Sequence, residues 1–255
     1  MATSSQPGVN KEPASRTRGL WGPDGSVLTH DRCPLLAASM VCADPLHIGR
    51  EVRLLEEGKI DLLHFDVMDG SFVPRIGLGP EMVRAVRQVS ELPIDVHLMV
   101  SDPEKQIPTF AQAGADIIIV HVEATSQFPR LLELIRACGS RPAVAMGPAT
   151  PPSAIAYVLD QVDLVLLMVV NPGSIGEKAI PAAMRKIADV LALLKERPRR
   201  VHIMIDGNVS PDNAPQMIRS GATILVCGSS SIFRPRTNVR DSLLAFHRGL
   251  QWEAD

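Results

Sequence analysis

The sequence predicts an α/β fold, a (β/α)₈ TIM barrel, as a single domain of residues 31–255 that follows a flexible N-terminal tail of residues 1–30. Eight short apolar or β-branched runs alternate with segments of helical period, which is the pattern of parallel βα units. Most runs begin roughly 22 to 27 residues after the previous one, close to the length of one compact unit. The 255 residues, 45% of them hydrophobic, suffice for one large core.

The predicted strands and helices alternate from residue 35 to the C-terminus. In order, the strands are Leu35–Ser39, Leu62–Val67, Ile94–Met99, Ile117–His121, Ala143–Met146, Leu164–Met168, His202–Ile205 and Ile224–Cys227. The main helix candidates are His47–Glu57, Glu81–Gln88, Glu104–Ala113, Gln127–Ala137, Pro181–Leu194, Asp212–Arg219 and Val239–Trp252. Eight units with helical covers throughout favour a closed barrel over an open doubly wound sheet.

The first thirty residues show almost no apolar period and are rich in Ser, Pro, Gly, Arg and Thr. Such a segment buries too little surface to offset its ordering entropy, so we expect a flexible tail. A transit peptide is the alternative. Glu12, Asp24, the prolines and the missing amphipathic pattern favour an ordinary tail.

Composition excludes several classes of partner. The net charge is −2, and Lys and Arg are scattered, so there is no electrostatic footprint for nucleic acid or membrane. The four cysteines form no C-x-x-C pair, which suits reduced thiols. No apolar run is long enough for a spanning helix or a secretory signal. We therefore expect a cytoplasmic protein that binds a small molecule.

Metal-ligand residue types recur at every second position of two predicted strands. Because side chains alternate faces along a strand, each set shares one face. The two sets are His64, Asp66 and Met68, and Asp95, His97 and Met99. One such histidine alone would be an ordinary core residue, but a third strand ends in Asp206. We therefore predict one divalent ion, Zn²⁺, Fe²⁺, Mn²⁺ or Co²⁺, held by His64, Asp66, His97 and Asp206.

Three further polar residues have no fixed role at this point. Asp95 lies deeper in the barrel than His97 and either orients a metal ligand or forms a structural ion pair. His121 and Glu123 stand two apart at a strand end, where they either line the rim or cap the next segment.

Glycine and serine follow the last three strands, at the usual phosphate position of such barrels. Their backbone N–H groups suit an anion. The predicted phosphate contacts are Gly173 and Gly176 after the sixth strand, Gly207 and Asn208 after the seventh, and Gly228, Ser229 and Ser230 after the eighth. The two longest loops at this end, Gly70–Pro80 and Asn171–Pro181, are candidate substrate loops. Schiff-base chemistry is disfavoured, because no lysine ends a predicted strand.

Ordered motifs resemble the ribulose-phosphate 3-epimerase family along nearly the whole chain after the tail. They are His64–Pro74, Asp95–Val100, His121–Ala124, Met168–Gly173, Asp206–Gly207 and Gly228–Phe233. The resemblance implies a barrel of the ribulose-phosphate-binding type, an isomerase that interconverts D-ribulose 5-phosphate and D-xylulose 5-phosphate. It also implies a homo-oligomer, since family members are often oligomeric.

The resemblance assigns roles to residues that match the family's motifs. His64, Asp66, His97 and Asp206 match its metal ligands, and Asp66 and Asp206 also match its acid and base. Ser39 matches a substrate-contacting serine, and Met68, Met99 and Met168 match methionines at the reaction centre. His97 and the phosphate-loop residues complete the expected substrate contacts.

The chemistry suits these residue types. Loss of the C3 proton of a ketose leaves an enediolate, whose negative charge a cation stabilises. Two carboxylates on opposite faces can remove and return the proton.

Some rim positions depart from the family pattern. They are Arg75 for Asn, Gly147 for Asn, Ser174–Ile175 for Phe-Gly, Asn208 for Gly and Cys42 for Ser. These departures leave two alternatives open: a 3-epimerase of a tetrulose or hexulose phosphate, or a non-catalytic sugar-phosphate-binding barrel.

Overall fold

The computed structural model describes residues 20–21, 34–195 and 201–251. Within these ranges, eight parallel strands follow one another around a closed barrel, and the last strand pairs with the first. The strands are β1 Leu35–Ser39, β2 Leu62–Met68, β3 Ile94–Met99, β4 Ile117–His121, β5 Arg141–Met146, β6 Leu164–Met168, β7 His202–Asp206 and β8 Ile224–Cys227. The predicted barrel is confirmed. The largest difference in strand bounds is at β5, which begins at Arg141 rather than Ala143.

Seven α-helices among the described residues cover the outside of the barrel. They are α1 Ile48–Glu57, α2 Pro80–Arg87, α3 Pro103–Ala113, α4 Phe128–Ala137, α5 Pro181–Lys195, α6 Ala214–Arg219 and α7 Val239–Gln251. Proline begins three of them, because its fixed φ suits the first helical position and its missing N–H removes no bond there. The predicted end of the last helix, Trp252, lies outside the described residues.

The connection between β5 and β6 contains no α-helix. The prediction of helical covers throughout is wrong here, since the chain forms only the short 3₁₀ segments Pro152–Ile155 and Leu159–Gln161. Pro148, Pro151 and Pro152 lie in this connection. Each proline removes an N–H donor and disfavours a helical conformation in the residue before it, so a regular helix does not form.

Alternate strand residues contribute to two separate cores. On β2, Leu63, Phe65 and Val67 pack between the barrel and the helices, whereas Leu62 packs inside the barrel. The interior core is apolar along most strands. Above Leu62, however, two successive inward positions on each of β2 and β3 are polar and buried: His64, Asp66, Asp95 and His97. The barrel interior is therefore polar beside β2 and β3, toward the carboxyl ends of the strands.

Leu20 and Trp21 pack into the barrel floor, which we define as these two residues with Arg141 and His202 at the amino ends of β5 and β7. His202 Nε2 donates a hydrogen bond of 3.0 Å to the Leu20 carbonyl. The Trp21 ring lies edge-on to His202, and the Arg141 guanidinium stands 4.5 Å above it. The rest of the predicted tail, residues 1–19 and 22–30, lies outside the described residues. These two tail residues are nevertheless buried.

Among the described helices, none combines the length and apolar character needed to cross a bilayer. Cys42, Cys138 and Cys227 are free thiols, and Cys33 lies outside the described residues.

Candidate metal centre

Strand register brings the predicted metal ligands together. β2 and β3 pair so that His64 lies beside Asp95, and Asp66 lies beside His97. Asp206, the last residue of β7, enters the barrel at the same end. As a result, one ligand atom from each of His64, Asp66, His97 and Asp206 lies within 4.8 Å of the other three. The structure therefore gathers all four side chains that the sequence singled out.

The spacing of these atoms fits a single ion. Asp66 Oδ1 is 3.1 Å from His64 Nε2 and 3.3 Å from His97 Nδ1. Asp206 Oδ2 is 4.0 Å and 3.8 Å from the same two nitrogens. Two ligands about 2.1 Å from a tetrahedral ion stand about 3.4 Å apart, which lies within the range of these four distances. Two imidazole nitrogens and two carboxylate oxygens could thus hold Zn²⁺, Fe²⁺, Mn²⁺ or Co²⁺.

Burial acts on both carboxyl groups, yet their pKa values shift in opposite directions. For Asp66, the charge and hydrogen bonds of His64 and His97 outweigh burial, so the pKa falls well below its usual range. Ser39 Oγ also donates a 2.9 Å hydrogen bond to Asp66 Oδ2. For Asp206, burial and the neighbouring Asp66 charge raise the pKa to about 7. At neutral pH without a cation, one carboxyl group is therefore ionised while the other readily carries a proton.

His64 is oriented by a carboxylate behind it. Asp95 Oδ1 lies 2.6 Å from His64 Nδ1, so Nε2 is directed toward Asp66. Burial alone would lower the pKa of His64, but the charges of Asp95 and Asp66 outweigh it and raise the pKa well above 6.5. Of the two roles left open for Asp95, this contact supports the orientation of a ligand.

His97 contacts a second imidazole on its outer side. His97 Nε2 lies 2.9 Å from His121 Nε2, and His121 Nδ1 lies 3.0 Å from Glu123 Oε2. Burial lowers the pKa of both imidazoles. Burial would raise the pKa of Glu123, but hydrogen bonds from His121, Thr150 and the Gly147 N–H lower it to about 2. His121 and Glu123, which had no role from sequence alone, thus stand behind a candidate ligand.

A cleft opens above Asp66 and Asp206 at the carboxyl end of the barrel. The predicted substrate contacts that line it are Ser39, Met68, Met99, Met168, Gly173, Gly176, Gly207, Asn208, Gly228, Ser229 and Ser230. His97 does not line the cleft, because its ring is fully buried beneath the carboxylates.

Other cleft residues were not predicted as substrate contacts. They are Val41, Val170, Val209, Val226, Ser174 and Ile175, together with Cys42 and Arg75, which stood out only as departures from the family pattern. Val170 follows Met168 by two residues, so strand alternation was a usable signal for it. Arg75 belongs to the long loop after β2, and its side chain has no hydrogen-bond or ion-pair partner in the part of the chain that the structure describes.

Two residues after β7 fix the end of the cleft formed by the loops after β6, β7 and β8. Gly207 has φ of 107°, and a Cβ there would lie 2.5 Å from the Val170 side chain, so only glycine fits. Asn208 follows with φ of 50°, a conformation that asparagine tolerates better than most residues. Its Nδ2 donates to Ser230 Oγ at 3.1 Å, and its Oδ1 accepts from the Ala179 N–H at 3.4 Å. Asn208 therefore ties together the loops after β6, β7 and β8.

Sequence comparisons place the chain among known enzymes. A model of the "Ribulose-phosphate 3 epimerase family" matches residues 35–233. The chain is 45% identical over 196 residues to "Ribulose-phosphate 3-epimerase" of Bacillus subtilis (strain 168), covering 76% of this chain and 90% of that protein. It is 43% identical over 198 residues to "Ribulose-5-phosphate-3-epimerase, chloroplastic" of Arabidopsis thaliana, covering 77% and 70%.

Solved structures share the fold at lower identity. KGPDC from Streptococcus mutans superposes with a TM-score of 0.62 at 14% identity, covering 87% of this chain and 99% of that one. Phosphoribosyl anthranilate isomerase from Thermus thermophilus gives a TM-score of 0.63 at 19% identity, covering 86% and 99%. These likenesses show the barrel fold alone. The family match and the curated relatives show more: this chain belongs to the ribulose-phosphate 3-epimerase family.

Proposed function

We propose that the chain is a divalent-metal-dependent 3-epimerase that interconverts D-ribulose 5-phosphate and D-xylulose 5-phosphate. One observation carries this proposal: Asp66 and Asp206 lie together in the same cleft as the glycine-rich loops after β6, β7 and β8. A ketose phosphate anchored at those loops would extend its carbon chain toward the two carboxyl groups.

Proton transfer at C3 uses the two carboxyl groups in turn. An ionised carboxylate removes the C3 proton from one face, and a protonated carboxyl group returns one to the other face. Asp66, which its imidazole neighbours hold ionised, and Asp206, beside the Asp66 charge, have the divergent proton affinities that such a pair needs. In the reverse direction, the two residues exchange roles.

The metal ligands in this proposal are His64, Asp66, His97 and Asp206, which meet the spacing that one ion requires. When bound, a divalent cation supplies positive charge beside the substrate oxygens on which the enediolate charge develops. The mixed nitrogen and oxygen set leaves Zn²⁺, Fe²⁺, Mn²⁺ and Co²⁺ as the proposed candidates.

The remaining cleft residues bind the substrate without competing for its proton. Met68, Met99 and Met168 line the cleft near the carboxyl pair with thioethers, which pack against a planar intermediate and have no acidic hydrogen. Ser39 holds Asp66 through its hydroxyl group. The backbone N–H groups of the glycine-rich loops would bind the phosphate.

Hydrogen exchange at C3 tests the proposed reaction. Purified protein loaded with each candidate metal is incubated with D-ribulose 5-phosphate in D₂O and followed by proton NMR. The proposal predicts D-xylulose 5-phosphate with deuterium at C3. Lack of exchange with all four metals would rule out the pentulose assignment.

A second candidate keeps the chemistry but changes the ketose to a tetrulose or hexulose phosphate. Arg75 favours it, since this cation lines the cleft where the family pattern has asparagine. A panel of phosphorylated ketoses, compared by kcat/KM, separates the two. A non-catalytic binding barrel would bind these sugars without exchanging any proton.

Cytoplasmic location and homo-oligomeric assembly stay predictions from the sequence. Light scattering coupled to size exclusion tests the second, with a mass above the 27.6 kDa of one chain as the expected result.

A further inference from the structure

We propose that Glu123 is a positioning residue for the metal centre. Acting through His121, it determines which ring nitrogen of His97 carries the proton, and so leaves the other nitrogen free to bind the cation. This inference rests on the metal centre of the proposed function. It assigns a role to two residues that lie outside both the ligand set and the cleft lining.

The geometry first identifies the ligand nitrogen of His97. Its Nδ1 lies 3.3 Å from Asp66 Oδ1 and 3.8 Å from Asp206 Oδ2, so this nitrogen faces the centre. A neutral imidazole has one protonated nitrogen and one with a free lone pair. If Nδ1 is to bind a cation, the proton must be on Nε2.

The contact with His121 extends the same argument outward. The two Nε2 atoms are 2.9 Å apart, and a hydrogen bond between them needs one proton. When His97 donates it, His121 Nε2 accepts, and the His121 proton is on Nδ1. That nitrogen lies 3.0 Å from Glu123 Oε2 and donates to it. If His121 donated to His97 instead, His97 Nδ1 would carry a proton and point it at the cation.

Glu123 selects the arrangement in which His97 donates to His121, because an ionised carboxylate only accepts hydrogen bonds. Its Oε1 is engaged by the Gly147 N–H at 2.6 Å and by the Thr150 hydroxyl, so Oε2 faces His121. Gly147 is itself held, since the Lys186 ammonium group donates to its carbonyl at 2.7 Å. Both histidine rings are fully buried, so bulk water does not reach them.

The two candidate imidazole ligands are therefore oriented by different routes. His64 meets Asp95 directly at 2.6 Å, whereas His97 reaches Glu123 through His121. Each of these two series of hydrogen-bonded side chains ends in a carboxylate, which is the usual partner behind a metal-binding histidine.

Glu123→Gln is the diagnostic variant because it keeps the shape of the side chain. The Gly147 N–H requires an oxygen at its position, so the glutamine NH₂ must face His121. A donor there requires His121 Nδ1 to accept, so His121 Nε2 donates to His97 Nε2 and the His97 proton moves to Nδ1. We expect Zn²⁺ affinity, measured by competition with a chromogenic chelator, to fall by about 10- to 100-fold.

Nitrogen-15 NMR of the Zn²⁺-loaded protein, with labelled histidine, reports the tautomers directly. The metal-free protein is unsuitable, because without a cation Asp66 Oδ1 accepts a hydrogen bond from His97 Nδ1. In the Zn²⁺-loaded wild-type protein we expect His97 protonated at Nε2 and His121 at Nδ1. In Glu123→Gln, His121 should be protonated at Nε2 instead. This readout does not depend on activity, and the wild-type spectrum decides the inference even if the variant does not fold.

Thr150→Val is the matched control. It removes a hydrogen bond to the same carboxylate but leaves the acceptor that faces His121. Its Zn²⁺ affinity and tautomers should match the wild type within about threefold, an effect of one neutral hydrogen bond or less. Thermal unfolding of both metal-free variants shows whether they fold.

Three results would overturn the inference: His121 protonated at Nε2 in the Zn²⁺-loaded wild-type protein, wild-type Zn²⁺ affinity in Glu123→Gln, or an equal loss of affinity in Thr150→Val. Failure of the proposed function is distinguishable. In that case the wild-type protein exchanges no C3 proton of a ketose phosphate, while Zn²⁺ affinity and the histidine tautomers still decide what Glu123 does.

Discussion

The two ends of the barrel both bury polar groups, but the floor joins unlike charges, whereas the carboxyl end brings two carboxyl groups together. Arg141 lies 3.4 Å from Asp163 and covers the Trp21 ring, while His202 donates to the Leu20 carbonyl. No like charges face one another in these contacts, so the floor needs no ligand for charge balance. Its one defect among the described residues is Trp21 Nε1, which is buried without a hydrogen-bond partner.

The carboxyl end gathers like charges instead. Asp66 and Asp206 approach the same two imidazoles, and the charge of Asp66 contributes to the raised pKa of Asp206. Such a cluster lowers stability unless a cation or a proton enters it. The difference indicates that the floor serves folding, whereas the opposite end is built for a ligand, as is usual in barrels of this type.

Matched carboxylate substitutions at the two ends provide the strongest test of this comparison. Asp206→Asn should lower kcat on the order of 10³-fold, because it removes an acid-base group and a metal ligand. Asp163→Asn, which removes the carboxylate beside Arg141 of the floor, should keep kcat within about threefold and lower the free energy of unfolding by about 1–3 kcal/mol. Steady-state kinetics and urea unfolding measure both. Equal losses of kcat would erase the functional distinction.

Trp21→Ala tests the floor alone. It removes a buried ring that contacts Arg141 and His202, so the free energy of unfolding should fall by about 3 kcal/mol while kcat stays unchanged. Tyr157→Ala is the control, since that ring is 96% exposed and its loss should change stability by less than about 0.5 kcal/mol. An unaffected urea midpoint in Trp21→Ala would show that the segment is not part of the folded core.

Local patterns predicted most of the carboxyl end. Alternation along β2 and β3 determines which side chains share a face, and barrel closure then brings Asp206 to them. The sequence could not show the contact between His97 and His121, because it depends on how far two side chains reach across adjacent strands.

The floor was less predictable. The composition of residues 1–30 argued for a tail without contacts, and this average concealed the buried pair Leu20 and Trp21. In the fifth unit, the prolines of residues 148–152 were visible in the sequence. Even so, the regular alternation of the other units favoured a helix that the structure does not contain.

The pH dependence of metal binding tests whether the carboxyl end, unlike the floor, holds protons that a cation must displace. Without a cation, Asp206 has a pKa of about 7, and the pKa of His64 is raised well above 6.5, so both groups carry protons at slightly acidic pH. A cation must displace these protons. Affinity should therefore rise with pH by about tenfold per unit for each proton displaced. Calorimetry in buffers of different ionisation enthalpy counts the protons, and affinity that is constant from pH 5.5 to 7 would contradict the account.

Asn208→Gly should have the smallest effect. Glycine adopts the positive φ of this residue without strain, so only the bonds to Ser230 and Ala179 are lost. We expect a rise in KM of about fivefold, equivalent to roughly one hydrogen bond, with kcat nearly unchanged. An unchanged KM would mean that this side chain does not help to hold the loops after β6 and β8 for substrate binding.

Anomalous diffraction from crystals loaded with Mn²⁺ or Zn²⁺ tests the central claim most directly. The account predicts one peak at about 2.1 Å from His64 Nε2, Asp66 Oδ1, His97 Nδ1 and Asp206 Oδ2. A peak elsewhere, or no bound ion in a protein that still epimerises its substrate in the presence of a chelator, would contradict it.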